Sequence, residues 1–220
     1  MPYGFALIVL LATLLLPVAG AGAQPDQGDL SLNARLLAFA RNGDEASVRR
    51  ALEEGAAVNS RNRLGNTALM IFAQKDNLPM VRLLLSKGAD VNLANLEKVT
   101  PLMAAAYNGD VEMARELMAA GADVSLEDQV FKPAMVYAAA NGHTAIVSLL
   151  LDAGVDVDRI YHNNLTALMW AAGYGHRETI ELLLARGADR GFKDARGKTA
   201  ADIAREQGYP EIADLLRPEK

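Results

Sequence analysis

The sequence predicts an all-α solenoid of about six helix pairs with protruding β-turn fingers, and three observations carry that prediction. Gly55, Gly88, Gly121, Gly154 and Gly187 recur every 33 residues, each opening a related phrase: GAAVN, GADVN, GADVS, GVDVD, GADRG. A second series at the same period is Gly43, Asp76, Gly109, Gly142, Gly175 and Gly208. A third is Thr67, Thr100, Pro133, Thr166 and Thr199, opening TALM, TPLM, PAMV, TALM and TAAD. Three series locked in phase over most of a chain mark units that stack because none buries its apolar face alone.

Composition fits such a stack and removes other classes. Of 220 residues, 51% are hydrophobic and 22% charged, enough for a sizeable core and too apolar for disorder along most of the length. A net charge of −5 and a pI near 5.3 exert no global pull toward nucleic acid or an anionic membrane. Without cysteine there are no disulfides, thiolate zinc sites, iron–sulfur clusters or cysteine nucleophiles. Three histidines leave little material for an imidazole metal site, and no cofactor is expected.

Residues 1–23 read as a signal peptide. No side chain from Met1 to Gln24 is charged, and Phe5–Leu16 is apolar but for Thr13. Ala21 and Ala23 give the small-x-small pattern that signal peptidase accepts, which predicts a mature start at Gln24 and a periplasmic protein. The pattern departs from the usual one in lacking Lys or Arg before the apolar run. The competing expectation is an uncleaved inner-membrane anchor, since residues 4–23 are all uncharged. Pro17 and the shortness of the strongly apolar part count against a span of about 30 Å. Residues 24–30 form a polar linker.

Residues 31–61 are expected to be an N-terminal capping repeat, a helix pair with Leu36, Leu37, Phe39, Val48 and Leu52 facing inward. Four internal repeats follow over residues 62–193. In each, Thr offers its hydroxyl as a helix N-cap, worth about 1 kcal/mol. Apolar residues then come at helical spacing, as in Leu69, Phe72 and Ala73. The glycine that follows ends the helix in a left-handed conformation. Asp76 stands in that slot in one repeat, where mild strain is expected. The second helix carries Leu84, Leu117, Leu150, Leu183 or Leu216 as its core stripe. In the fourth pair Pro133-Ala134-Met135 replaces Thr-Pro-Leu, which predicts a helix without a hydroxyl cap. Residues 194–220 form a C-terminal capping repeat, with Asp202, Arg205 and Glu206 where inner repeats are apolar or small.

This spacing and wording resemble the ankyrin repeat, with its T-P-L-H-x-A-A-x-x-G-H and G-A-D-V-N phrases. The resemblance spans roughly residues 31–217. Thr166–His176, TALMWAAGYGH, is similar to the ankyrin proteins that bacteria export, in which Met often replaces the usual His after Leu; Met70, Met103 and Met169 occupy that slot. What the resemblance implies is a protein-binding scaffold without catalytic activity of its own.

Catalytic constellations are not visible in the chain. It has no phosphate-cradling glycine loop, no G-x-S-x-G and no HExxH. His143 and His176 each follow a repeat glycine, where the ankyrin pattern itself favours His. His162, in the turn Tyr161-His162-Asn163-Asn164, has no such explanation, which leaves an enzyme built around it as the weakest hypothesis. Glu53-Glu54 and Glu127-Asp128 read as solvated surface, and the sequon Asn164-Leu165-Thr166 overlaps a helix N-cap.

Binding is expected on the turns and the adjoining first helices. The turns, called fingers 1 to 5, cover about residues 60–66, 93–99, 126–132, 159–165 and 192–198. They hold eight Lys or Arg (Arg61, Arg63, Lys98, Lys132, Arg159, Lys193, Arg196, Lys198) against four carboxylates (Glu97, Glu127, Asp128, Asp194), a surplus of four cations in a chain of net −5. This reads either as ordinary loop polarity or as an edge that steers an acidic partner. Tyr137 and Trp170 occupy slots that pack between repeats, whereas Tyr107 and Tyr174 occupy variable positions facing the concave groove. Phe131 and Tyr161 sit on fingers where the family prefers Gly and Asp. The expected contact set is therefore Tyr107, Phe131, Tyr161 and Tyr174, with Arg159 and His162 at the rim.

The leading expectation is a monomeric periplasmic adaptor for one protein partner. The resemblance to exported bacterial ankyrin proteins implies two versions: support of a periplasmic enzyme, peroxide-detoxifying ones included, or immunity against a delivered toxin. The alternative is a membrane-anchored structural subunit, should the N-terminal segment stay uncleaved. No nucleic-acid partner is expected.

Overall fold

The computed structural model describes residues 31–217; the expected signal peptide 1–23 and linker 24–30 lie outside the described residues. Six consecutive pairs of helices make up the described residues: α1 (Leu32–Asn42) with α2 (Glu45–Glu53), α3 (Ala68–Gln74) with α4 (Leu78–Ser86), and α5 (Pro101–Asn108) with α6 (Val111–Ala119). Then come α7 (Ala134–Ala140) with α8 (Thr144–Asp152), α9 (Ala167–Gly173) with α10 (Arg177–Ala185), and α11 (Ala200–Glu206) with α12 (Pro210–Leu215). The first helices pack each against the next in an inner row, and α4, α6, α8 and α10 form a looser outer row. Among the described residues there is no strand, and no helix is long and apolar enough to cross a membrane.

The periodic slots are the core. Leu84, Leu117, Leu150 and Leu183 are 0% exposed and Leu216 is 2%, so each of the last five pairs seals one Leu, worth about 1.5–3 kcal/mol each. Met70, Met103 and Met169 are buried beside them. One inward assignment needs correction: Leu52 is half-buried, and Ala51 takes the core position. Residue 51 lies one 33-residue period before Leu84, so the register of the stack prevails over the size of the side chain.

Helix starts change character along the stack. Side chains of Ser31, Thr67, Thr100, Thr166 and Thr199 accept from the backbone N–H three residues on, but Pro133 has no such group and α7 starts uncapped. In the second helices Asp44, Asn77 and Asp110 cap in the same way. His143 and His176 do not cap. Their rings reach back instead, Nε2 donating to the carbonyls of Tyr107 and Ala140 at 2.9 Å. This explains Gly109 beyond its φ of +80°: a Cβ there would lie 2.5 Å from the His143 ring. Asp76 adopts the left-handed conformation of the same slot at φ +57°, the strain expected of a non-glycine there. At the far end, Asp202 completes a capping box with Thr199, and Glu206 pairs with Lys198 at 2.7 Å, giving the last pair its polar face.

Two kinds of stitch join neighbouring loops. Asn59 and Asn92 accept from the backbone N–H of Asp90 and Asp123 at 2.9 and 2.8 Å, and Asp158 accepts from Asp189 at 2.9 Å. Ser125 fills that slot in the third loop, is too short, and donates to Asp123 Oδ1 instead. Fingers are joined by backbone bonds from Leu96 to Leu64 O, Gln129 to Glu97 O and Ala195 to Asn163 O, at 2.9, 3.0 and 2.9 Å. Among the described residues no such bond joins fingers 3 and 4. The junction where α7 lacks its cap therefore lacks both stitches as well, and it should open before its neighbours. Amide exchange is expected to be faster across residues 132–140 than across 100–108, and Pro133→Thr to raise stability by about 1 kcal/mol in urea unfolding. An unchanged midpoint would count against the missing cap as the cause.

Candidate functional site

Each finger is built around two slots. The first holds Asn62, Asn95, Asp128, Tyr161 and Asp194 in turn. Where that residue is Asn or Asp, its Oδ1 accepts two backbone N–H groups of the same finger: from Leu64 and Asn66, Glu97 and Val99, Val130 and Lys132, Arg196 and Lys198. The second slot, three residues on, is left-handed in all five fingers: Gly65, Lys98, Phe131, Asn164 and Gly197, with φ between +57° and +80°. A side chain in this conformation costs about 1–2 kcal/mol, which glycine avoids.

Finger 4 departs from this plan, and the departure corrects the expectation for Tyr161. That residue does not stand open on the finger; it is buried, 6% exposed. It fills the inward slot of a turn-holding carboxylate, so its ring packs beneath the finger, and the Arg159 guanidinium covers it 5.6 Å from the ring centre. Its hydroxyl finds no hydrogen-bond partner. Having lost its side-chain acceptor, the finger closes through a 3-10 turn, His162–Asn164, with Asn163 and Asn164 both left-handed. Arg159 is half-buried and pairs with Glu127 of finger 3 at 3.3 Å.

Phe131 is the opposite case. It is 55% exposed in a left-handed conformation, and its ring stacks on His162, with centroids 5.3 Å apart and planes 14° apart. Folding gains little from an aromatic residue so placed. Phe131, Arg159, His162 and the buried Tyr161 thus form one cluster that bridges fingers 3 and 4 where the backbone stitch is missing.

Tyr107 and Tyr174 belong to a separate, inner cluster. Both are half-buried on the inner row. Tyr107 meets Tyr137 edge-on at 6.1 Å, and Tyr174 lies nearly parallel to Trp170 at 6.4 Å and to His176 at 6.3 Å. Burial pushes the Tyr174 hydroxyl up to about 12. Tyr137 is raised further, by burial and then by its hydrogen bond to the buried Asp128 carboxylate. Burial likewise raises Tyr161, against the opposing pull of Arg159. Lys132 links the two clusters: its ammonium sits 4.9 Å over the Trp170 ring, and burial lowers its pKa while Asp128 opposes the shift.

Sequence reasoning passed over Lys132's position on Trp170, and it left Tyr209 unassigned. Tyr209 follows Gly208 in the slot of His143 and His176, and its ring lies over Gly175 as theirs lie over Gly109 and Gly142. The 33-residue register was the available signal. His143 and His176 are seam residues, and no group of three His, Asp or Glu side chains converges among the described residues.

A family model described as ankyrin repeats (three copies) matches residues 36–128 and 132–220. The chain belongs to the ankyrin-repeat family, a family of protein-interaction scaffolds that are generally non-catalytic. No curated protein matches it.

Two tyrosines in similar burial should respond oppositely to loss of the hydroxyl. Tyr137→Phe strips buried Asp128 of its donor and is expected to cost about 1–3 kcal/mol, while Tyr161→Phe removes an unpartnered hydroxyl and should be neutral or stabilising. Chemical denaturation of both variants checks this. The raised tyrosines also set a pH limit. Their folded forms stay neutral where unfolded tyrosine ionises, so stability present below pH about 10 should fall as pH rises toward about 12. Unfolding midpoints measured across that window should decline; a flat profile contradicts the assignment.

Proposed function

We propose that the chain holds one protein partner across its fingers and inner face, as an exported, non-catalytic, monomeric accessory protein. The observation that carries this reading is the placement of exposed apolar surface. The large hydrophobic side chains that stand open among the described residues are Leu64, Leu96, Val130, Phe131 and Ile160, from 42% to 62% exposed, and all five are on or beside fingers. Clustered apolar exposure on a soluble surface marks an interaction site.

Within that face Phe131 is the expected anchor, Tyr107 and Tyr174 offer partly open rings from the inner row, and Arg159 and His162 supply the polar rim. Tyr161 contributes by shaping finger 4 from beneath. The uncharged N-terminal run and the Ala21/Ala23 pattern support export to the periplasm, with Gln24 as the mature start. The partner is then a periplasmic enzyme that the scaffold supports, such as a peroxide-detoxifying one, or a toxin that it neutralises. Retention of the uncharged segment 4–23 as an inner-membrane anchor is the alternative, in which the same face serves a larger complex. Intact mass separates these: a chain starting at Gln24 supports export with cleavage, and a full-length membrane-bound species supports the anchor.

The face itself is tested in cells with a photo-crosslinking residue placed at Phe131 or at Ala145, which is exposed on outer helix α8. One discrete crosslinked protein is expected from Phe131 and none from Ala145. Phe131→Gly should leave the melting temperature unchanged or higher, since it relieves about 1–2 kcal/mol of left-handed strain, and should abolish the complex. Crosslinks from Ala145 with none from Phe131 would overturn the reading.

A further inference from the structure

Fingers 1 to 3 form one continuous ribbon. Leu96 and Gln129 donate across it to Leu64 O and Glu97 O at 2.9 and 3.0 Å, and the side chains of Arg61 and Gln129 reach the carbonyls of Ala94 and Leu96. Four of the open apolar side chains, Leu64, Leu96, Val130 and Phe131, stand along this ribbon. Cations alternate with them. Arg63 and Lys98 are exposed and, among the described residues, enter no ion pair. Arg61 spends its donors on the neutral carbonyls of Gly65 and Ala94, so its charge stays uncompensated.

Three of the four finger carboxylates are committed within the chain. Asp128 is held by the Tyr137 hydroxyl and two backbone N–H groups, Glu127 by Arg159 at 3.3 Å, and Asp194 by Arg196 at 2.7 Å. Glu97 is exposed and, among the described residues, in no ion pair. Fingers 1 to 3 thus carry four cations (Arg61, Arg63, Lys98, Lys132) against three carboxylates (Glu97, Glu127, Asp128), a slight positive surplus beside open apolar side chains on a chain of net charge −5.

We infer that the ribbon of fingers 1 to 3 docks an acidic segment of the partner polypeptide, one that intersperses carboxylates with large apolar side chains. This rests on the reading of the finger face as the partner-binding surface and adds the partner's chemistry. Carboxylates meet Arg63 and Lys98, Arg63 donating to them in two-pronged geometry, while the charge of Arg61 adds to the attraction. Apolar side chains cover Leu64, Leu96 and Phe131. Opposite charge speeds encounter and fixes register, while the apolar contacts hold the complex. A nucleic acid would satisfy the cations but bring no aliphatic groups for Leu64, Leu96 and Val130, and the acidic remainder of the chain would repel a long polyanion.

Fluorescence anisotropy with the full chain tests this. The probes are a short labelled peptide alternating glutamate with leucine and phenylalanine, its glutamine and lysine counterparts, and an oligothymidylate of equal length. The glutamate peptide is expected to bind at least about tenfold more tightly than the glutamine peptide and to weaken as salt rises, with no binding of the lysine peptide. Arg63→Glu with Lys98→Glu should abolish binding, and Phe131→Gly should weaken it about tenfold. Arg49→Glu with Lys87→Glu, an equal charge change on α2 and at the end of α4, should leave it unaltered. Melting curves confirm that each variant is folded. Equal binding of the glutamine peptide, still lost in Phe131→Gly, overturns the acidic partner while the finger face stands as a docking surface. Preference for the lysine peptide or the oligothymidylate overturns it too. If no probe binds, the inference falls, and crosslinking at Phe131 decides the finger face separately.

Discussion

The seam between neighbouring repeats is the constraint on which everything else depends. A pair of helices of seven to nine residues, such as α3 and α4, is too short to be stable alone and exposes an apolar flank on each side. Only the next pair can cover it. Each repeat therefore donates its leucine, methionine and alanine side chains to a boundary it shares, and stability accumulates seam by seam. The polar seams follow the same rule. His143 and His176 give up the capping role that Asp110 plays in order to reach a carbonyl of the preceding repeat, and the glycine beneath each ring is there because nothing larger fits.

That regularity makes its interruption informative. At the junction of the third and fourth loops Ser125 cannot span, no backbone bond crosses from finger 3 to finger 4, and Pro133 leaves α7 uncapped. Side chains take over: Arg159 with Glu127, Phe131 on His162, and Lys132 over Trp170. Proteins break local rules mainly where function requires it. Here the irregular junction coincides with the exposed ring of Phe131 and the buried, unpartnered hydroxyl of Tyr161. The two departures serve different ends, one presenting surface outward and the other supporting a finger from below.

Electrostatics divides the molecule in the same way. Intramolecular pairs and turn-holding bonds engage Glu127, Asp128 and Asp194, while Arg63 and Lys98 stand beside open aliphatic side chains. The outer row keeps its exposed pairs, Arg82 with Glu116 and Arg186 with Asp152, which solvent screens to little net effect.

The repeat, its caps, its core leucines and the family were legible in the sequence because each rests on local chemistry repeated at a constant interval. A Thr before a helical run caps it, a glycine after it turns left, and a leucine in register is buried whatever lies elsewhere. The uncapped α7 and the strained Asp76 were legible for the same reason. What the tertiary structure alone decided is the fate of side chains whose role depends on the neighbouring repeat. Tyr161 and Phe131 look alike in sequence as aromatic residues on fingers. One occupies the slot that points inward and is buried, and the other occupies the left-handed slot that points outward and is exposed. The distinction lies in the backbone angles of a turn and in what the adjacent finger places against it. Leu52 shows this equally: its size predicts burial, but the register set by stacking gives the core position to Ala51.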